Sequence, residues 1–363
     1  MGQQALGCPD AVELHAELLR DPTGEQHLAF ATGATALGGH RQRRQDCSNV
    51  YTSTFVEQHV SLALERHGPD HSRRYRWQYG GCEVEIAISD TGGSGPAWLL
   101  LPALSTISSR NEWQPFCDVF GDGMAEPKGS AFERPRLIRV DWPGFGDSGR
   151  PQLPYSPELL AQFLVEIRRD ICPIDCSLIA AGHAAGIALL AAERYGLAFK
   201  EWVLVAPTWR GPFPTMAGRQ IRTFALLRAL VVAPLVGPLL YRLNTTKGVL
   251  RWMSQRHVDI AGPGLTPQGI ARRQRIARQP GARFASAAFV TGGLDPYMDP
   301  ASWLLAARKL QTQLTVVVAD QSPPKSLAQM QAIAAGADRV AYLPGRLGAH
   351  EEFGRTLAAL MLA

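Results

Sequence analysis

The chain lacks any run of 18 apolar residues, which excludes an ordinary transmembrane helix. The nearest approach, Phe224 to Leu240, is interrupted by Arg228, Pro234, Gly237 and Pro238. The first residues lack the basic-then-apolar order of a secretory leader, and position 6 is Leu rather than the Ser or Thr of a myristoylation signal. The expected location is cytoplasmic. Cysteine is sparse: six thiols lie at 8, 47, 82, 117, 172 and 176. Only Cys172 and Cys176 are neighbours, and C-x3-C without clustered His or Cys is a poor metal signature. Also missing are a G-x-G-x-x-G after a strand, a Walker A loop and H-E-x-x-H. No cofactor and no metal are therefore expected. Arg272, Arg273, Arg275 and Arg278 lack interleaved aromatics, so nucleic acid is not an expected partner.

Acid is scarce in one region. From Trp209 to Phe289 there are 13 Arg and Lys against a single carboxylate, Asp259. This segment carries +12 on a body at −7 within a net charge of +5. It also lacks strand patterns and is punctuated by proline, as expected of a helical cap spanning residues 208–287.

What is present on either side is alternation. Tyr75–Ile88 reads as a hairpin turning at Gly80–Gly81. Strands are expected at 98–101, 136–140, 178–181, 202–206, 314–319 and 340–343, with helices at 157–170 and 187–195. Strand–helix alternation of this kind implies an α/β fold with a mostly parallel sheet flanked by helices. Residues 75–207 and 288–363 form its core. Residues 1–74, with the Gly/Ala-rich ATGATALGGH and the basic HRQRRQ, show no strand alternation strong enough to build a domain and are expected to be a mobile extension.

Leu178 to Tyr195 carries the most information. An apolar strand runs into Gly182-His183-Ala184-Ala185-Gly186 and then a helix, the setting of the G-x-S-x-G nucleophile elbow. With Asp141-Trp142-Pro143-Gly144-Phe145-Gly146-Asp147-Ser148, and with His350 in Gly348-Ala349-His350-Glu351 before the final helix, it resembles the α/β-hydrolase superfamily from about Tyr75 to Ala363. The stretches APTWRGP, LLYRLNTT, FVTGGLDP and SPPKS are similar to a subgroup that carries G-H-A-A-G. The resemblance implies the α/β-hydrolase fold, a nucleophile position at Ala184 and a base position at His350. A methyl group cannot attack a carbonyl, so Ala184 excludes the ordinary acyl-enzyme route.

For the acid the resemblance leaves alternatives. Strict alignment puts Ser322 where an Asp belongs, Asp320 comes two residues earlier, and Asp295 closes Gly292-Gly293-Leu294-Asp295. The oxyanion loop also departs, reading Leu101-Pro102-Ala103-Leu104-Ser105-Thr106 in place of a His-Gly pattern. Leu104 and Ser105, with His183 and Ala185 of the elbow, are the expected binding positions.

Two functions follow as expectations. One is a pseudoenzyme holding a lipophilic or anionic small molecule under the cap. The other is a hydrolase of small esters or lipophilic substrates, with water activated by His350, or with Ser105 or Thr106 as substitute nucleophile. The basic cap is a candidate for peripheral membrane contact; oligomeric state is not legible.

Overall fold

The computed structural model describes residues 72–120 and 133–362, and the strand paths of residues 12–20 and 26–31. Ten strands follow in chain order: β1 Val12–Arg20, β2 Gln26–Ala31, β3 Ser72–Tyr79, β4 Cys82–Asp90, β5 Ala97–Leu101, β6 Arg136–Val140, β7 Ser177–Ala181, β8 Glu201–Val205, β9 Gln313–Ala319 and β10 Arg339–Leu343. They form one sheet in the order β2-β1-β10-β9-β8-β7-β5-β6-β4-β3. From β10 to β6 every pairing is parallel, and β4 and β3 close that edge as an antiparallel hairpin. All five residues of β7 are buried, as are the last four of β8. Strands covered on both faces are therefore continuous apolar runs rather than alternating ones.

The extension was expected to be mobile, with no strand alternation strong enough to build a domain. Within it, β1 pairs parallel with the otherwise open edge of β10, and β2 runs antiparallel to β1. Ser72, Arg73 and Arg74, also assigned to the extension, begin β3, and the remainder, including HRQRRQ, lies outside the described residues.

The topology marks a candidate position for a site. β6 lies on one side of β5, while the next strand, β7, lies on the other. The chain thus reverses its winding direction at β5, and the crevice beyond the carboxyl ends of β5 and β7 is where open α/β sheets bind ligands. Between β8 and β9 comes a helical insertion running from Pro212–Ala217 to Ala282–Val290, slightly beyond the expected boundary at 287. The helix Pro300–Arg308 then packs against the helix Ala184–Tyr195.

Candidate active site

β7 ends where its ladder ends. The Gly182 N–H donates to the Val205 carbonyl at 2.9 Å, and the chain then turns with Gly182 in the left-handed region at φ 54°. His183 already has right-handed helical angles, and the helix begins at Ala184. A side chain at Gly182 would point its Cβ at the Cβ of Ala103, 3.2 Å away, on the loop after β5. The strained residue of this strand–turn–helix is therefore Gly182, two residues before the position expected at Ala184. Ala184 and Ala185 are buried core residues. No residue from Ala180 to Gly186 carries a hydroxyl, thiol or carboxylate.

His183 faces the far side of the turn. Its Nε2–H donates to the Leu294 carbonyl at 2.7 Å and lies 3.9 Å from Oδ1 of Asp295. Burial holds the imidazole below its ordinary pKa of 6.5, with Asp295 pulling the other way. Burial also raises the Asp295 carboxyl, opposed by His183 and by the Gly211 N–H that donates to it at 2.7 Å. Asp295 thus ties the start of the insertion to the elbow and does not orient His350. In the unfolded chain His183 protonates near 6.5, so stability should decline as pH falls below that value towards the depressed folded pKa. His183→Asn should flatten this slope, as thermal melts between about pH 7.5 and about pH 5 would register.

His350 belongs to a buried helical turn, Ala349–Glu352, rather than to a loop. Its Nε2–H donates to Oε2 of Glu112 at 2.9 Å, and its ring lies 5.1 Å from that of Trp113. Its Nδ1 is buried without a partner. The carboxylate on His350 is therefore Glu112, from the turn Arg110–Trp113, and neither Asp295 nor Asp320. Asp320 is exposed beyond β9, and Ser322 has a buried, unpartnered hydroxyl. A carboxylate fixing Nε2–H leaves the lone pair on Nδ1, the arrangement of an oriented general base.

Two networks hold this pair. Asp141 accepts from the Arg110 backbone N–H, from Arg110 Nη1 at 2.7 Å and from the Asp147 N–H at 2.7 Å. Arg110 also reaches Asp147 and Ser89. A methyl on Gly146, which sits at φ 56°, would lie 2.1 to 2.4 Å from the Asp141 carboxylate atoms. This explains the glycine in the Asp141–Ser148 segment. From the other side, the insertion straps the His350 turn: Gly348 N–H donates to Val258 O at 2.8 Å, and Glu352 accepts from Ile260 and Ala261.

In the loop after β5, Leu104 is buried and the Trp142 indole donates to the Pro102 carbonyl at 3.1 Å. The Ser105 hydroxyl is engaged with Ser108 at 2.8 Å. No hydrogen bond joins Ser105 or Thr106 to His350. Among the described residues no group of three or more His, Cys, Asp and Glu is arranged to hold a metal.

The model of an alpha/beta hydrolase family matches residues 92–354. The chain belongs to that family. Cfl2 from Burkholderia cenocepacia is similar in structure, with 18% identity and TM-score 0.60 over 83% of this chain and 99% of that one. The haloalkane dehalogenase DatA from Agrobacterium tumefaciens gives 17% identity and TM-score 0.55 over 80% and 96%. A bromoperoxidase from Bacillus anthracis gives 14% identity and TM-score 0.56 over 80% and 98%. No curated protein matches the chain significantly. Glu112 was missed by sequence reasoning; in Ser108-Ser109-Arg110-Asn111-Glu112-Trp113-Gln114 it stands among other polar residues, and nothing in the sequence sets it apart.

Proposed function

We propose that this chain is an alpha/beta-hydrolase-fold protein that holds a lipophilic or anionic small molecule beneath its helical cap without forming an acyl-enzyme. One observation carries the reading. The left-handed residue of the strand–turn–helix is Gly182, which has no side chain, and its neighbours from Ala180 to Gly186 offer no attacking group. The departures at Pro102 and Ala103 support it, because a repurposed site no longer needs oxyanion donors in their usual loop. The related structures include a dehalogenase and a bromoperoxidase, so the fold alone selects no reaction.

The test is fluorophosphonate labelling and p-nitrophenyl ester turnover of the wild type, Ala184→Ser and Gly182→Ser. All three should remain unlabelled. Ser at 184 would bury a hydroxyl in the core, at a cost of about 1–3 kcal/mol if unpaired. Ser at 182 would face Ala103, and no atom of His350 lies within 4 Å of its Cβ. Robust labelling of Ala184→Ser would overturn the proposal.

A second reading rests on the free Nδ1 of His350. Oriented by Glu112, it has the form of a base that draws a proton from water with no nucleophile required. Wild-type ester turnover without labelling, reduced about 100-fold or more by Glu112→Gln or His350→Gln, would favour this reading over simple binding.

A further inference from the structure

The insertion exposes what a core normally hides. The helix Arg222–Val232 has no buried residue. Leu226 is 72% exposed; Leu235, at the turn before the next helix, is 89% exposed, and Leu239 and Leu243 are 62% and 58%. Leu226 and Leu230 are four residues apart on one helix, as are Leu239 and Leu243 on the next, so each pair forms a stripe along its helix, with Leu235 exposed at the turn between them. The helix Gly237–Asn244 packs against Arg222–Val232 at a bend of 104°. Among the described residues no single helix is long and apolar enough to cross a membrane. Trp252, also exposed, lies under the Arg256 guanidinium.

Charge selects the occupant. From Trp209 to Val258 the sequence holds no carboxylate, and Arg219, Arg222, Arg242, Lys247, Arg251 and Arg256 are exposed. Behind Leu239 and Leu243, the same helix contributes Tyr241 and Arg242 to a cavity of about 310 Å³ shared with Arg278, Gln279 and Arg283. No carboxylate lines it. Arg278 and Arg283 spend donors only on carbonyls, those of Arg242 and Val232, and Arg283 Nε is buried without a partner. An apolar ridge beside a guanidinium-lined cavity matches an acyl layer beside a phosphate layer.

We infer that the insertion docks on an anionic phospholipid bilayer, with Leu226, Leu235, Leu239 and Leu243 entering the acyl boundary and a lipid phosphate seated among Arg242, Arg278 and Arg283. This goes beyond the reading of the elbow and does not depend on it. The test is sedimentation of the full chain with vesicles of phosphatidylcholine alone or mixed with phosphatidylglycerol. Binding should be confined to the mixed vesicles and weaken with salt. Leu235→Glu with Leu239→Glu should reduce it about tenfold or more, and Arg242→Gln with Arg278→Gln by about fivefold per arginine. Thermal melts should show both variants folded, since the leucines are exposed and no carboxylate lines the cavity. Three results would overturn the inference: equal or absent binding to both vesicles, unchanged binding of either folded variant, or release by inorganic phosphate but not by chloride of equal ionic strength. The last would make the site one for a free anion.

Discussion

Arg273→Met should destabilise the protein by about 3–5 kcal/mol, the usual cost of stranding buried charge. Arg273 is itself buried, as are Asp259 and Glu351. It donates to both oxygens of Asp259, to Glu351 at 2.8 Å and to Ser254 at 2.9 Å. Burial alone would raise the Glu351 carboxyl, but Arg273 and Arg272 outweigh it and hold it below the carboxylate range. At Asp259 burial wins and the carboxyl is raised despite Arg273. Without Arg273, Asp259 loses its cation, and Glu351 retains only the more exposed Arg272.

The pH dependence follows in sign. In the wild type, the depressed Glu351 contributes stability above its unfolded pKa and loses it as pH falls through the folded value. In the variant both carboxyls rise, so the penalty is largest at neutral pH and shrinks as acid neutralises them. Urea melts of the two proteins should therefore converge as pH falls from about 7 to about 4.5. Adding Asp259→Leu and Glu351→Leu to Arg273→Met should recover most of the loss, because a well-packed apolar cluster can replace a buried ionic one. A single-variant loss under about 1 kcal/mol would mean that water reaches the cluster. Because Glu351 adjoins His350, the cluster also sets where the insertion holds that imidazole.

The strands of the core were legible because parallel strands covered on both faces are nearly continuous apolar runs, as 98–101 and 178–181 are and as 314–319 is except for the buried Thr315. The hairpin was legible from Gly80–Gly81, both at positive φ. The register of the elbow was not. It depends on where the β7–β8 ladder stops, and the Gly182 N–H bond to Val205 stops it two residues before Ala184. His350 could be picked out by its order along the chain, but its partner could not. Glu112 lies 238 residues away, and no spacing rule links a turn after β5 to one after β10. Asp295 and Asp320 were candidates because they follow strands or glycine turns, yet one serves Gly211 and His183 and the other faces solvent. In the insertion, composition revealed cations and leucines, but only the packing shows which leucines stay outside.

Asp141→Ala should be comparably damaging, at about 3–5 kcal/mol. It removes the acceptor for two backbone N–H groups and for one arm of the buried Arg110 guanidinium. Among the described residues, Asp147 would remain as the only carboxylate on Arg110. Asp141→Asn separates shape from charge: the side chain still fills the space against Gly146, but one oxygen must serve three donors. Its loss should be intermediate. Gly146→Ala attacks the same contact from the other side, since its methyl would collide with the carboxylate and its φ of 56° disfavours any side chain. The damage should also reach the candidate site, because Arg110 opens the turn that presents Glu112 to His350. The His350 ring-proton resonances should therefore move in Asp141→Asn, and stay in place in Arg76→Ala, a surface control paired with the exposed Glu83. Unmoved His350 resonances in a destabilised Asp141→Asn would separate the Asp141 hub from the site and leave it a purely structural brace.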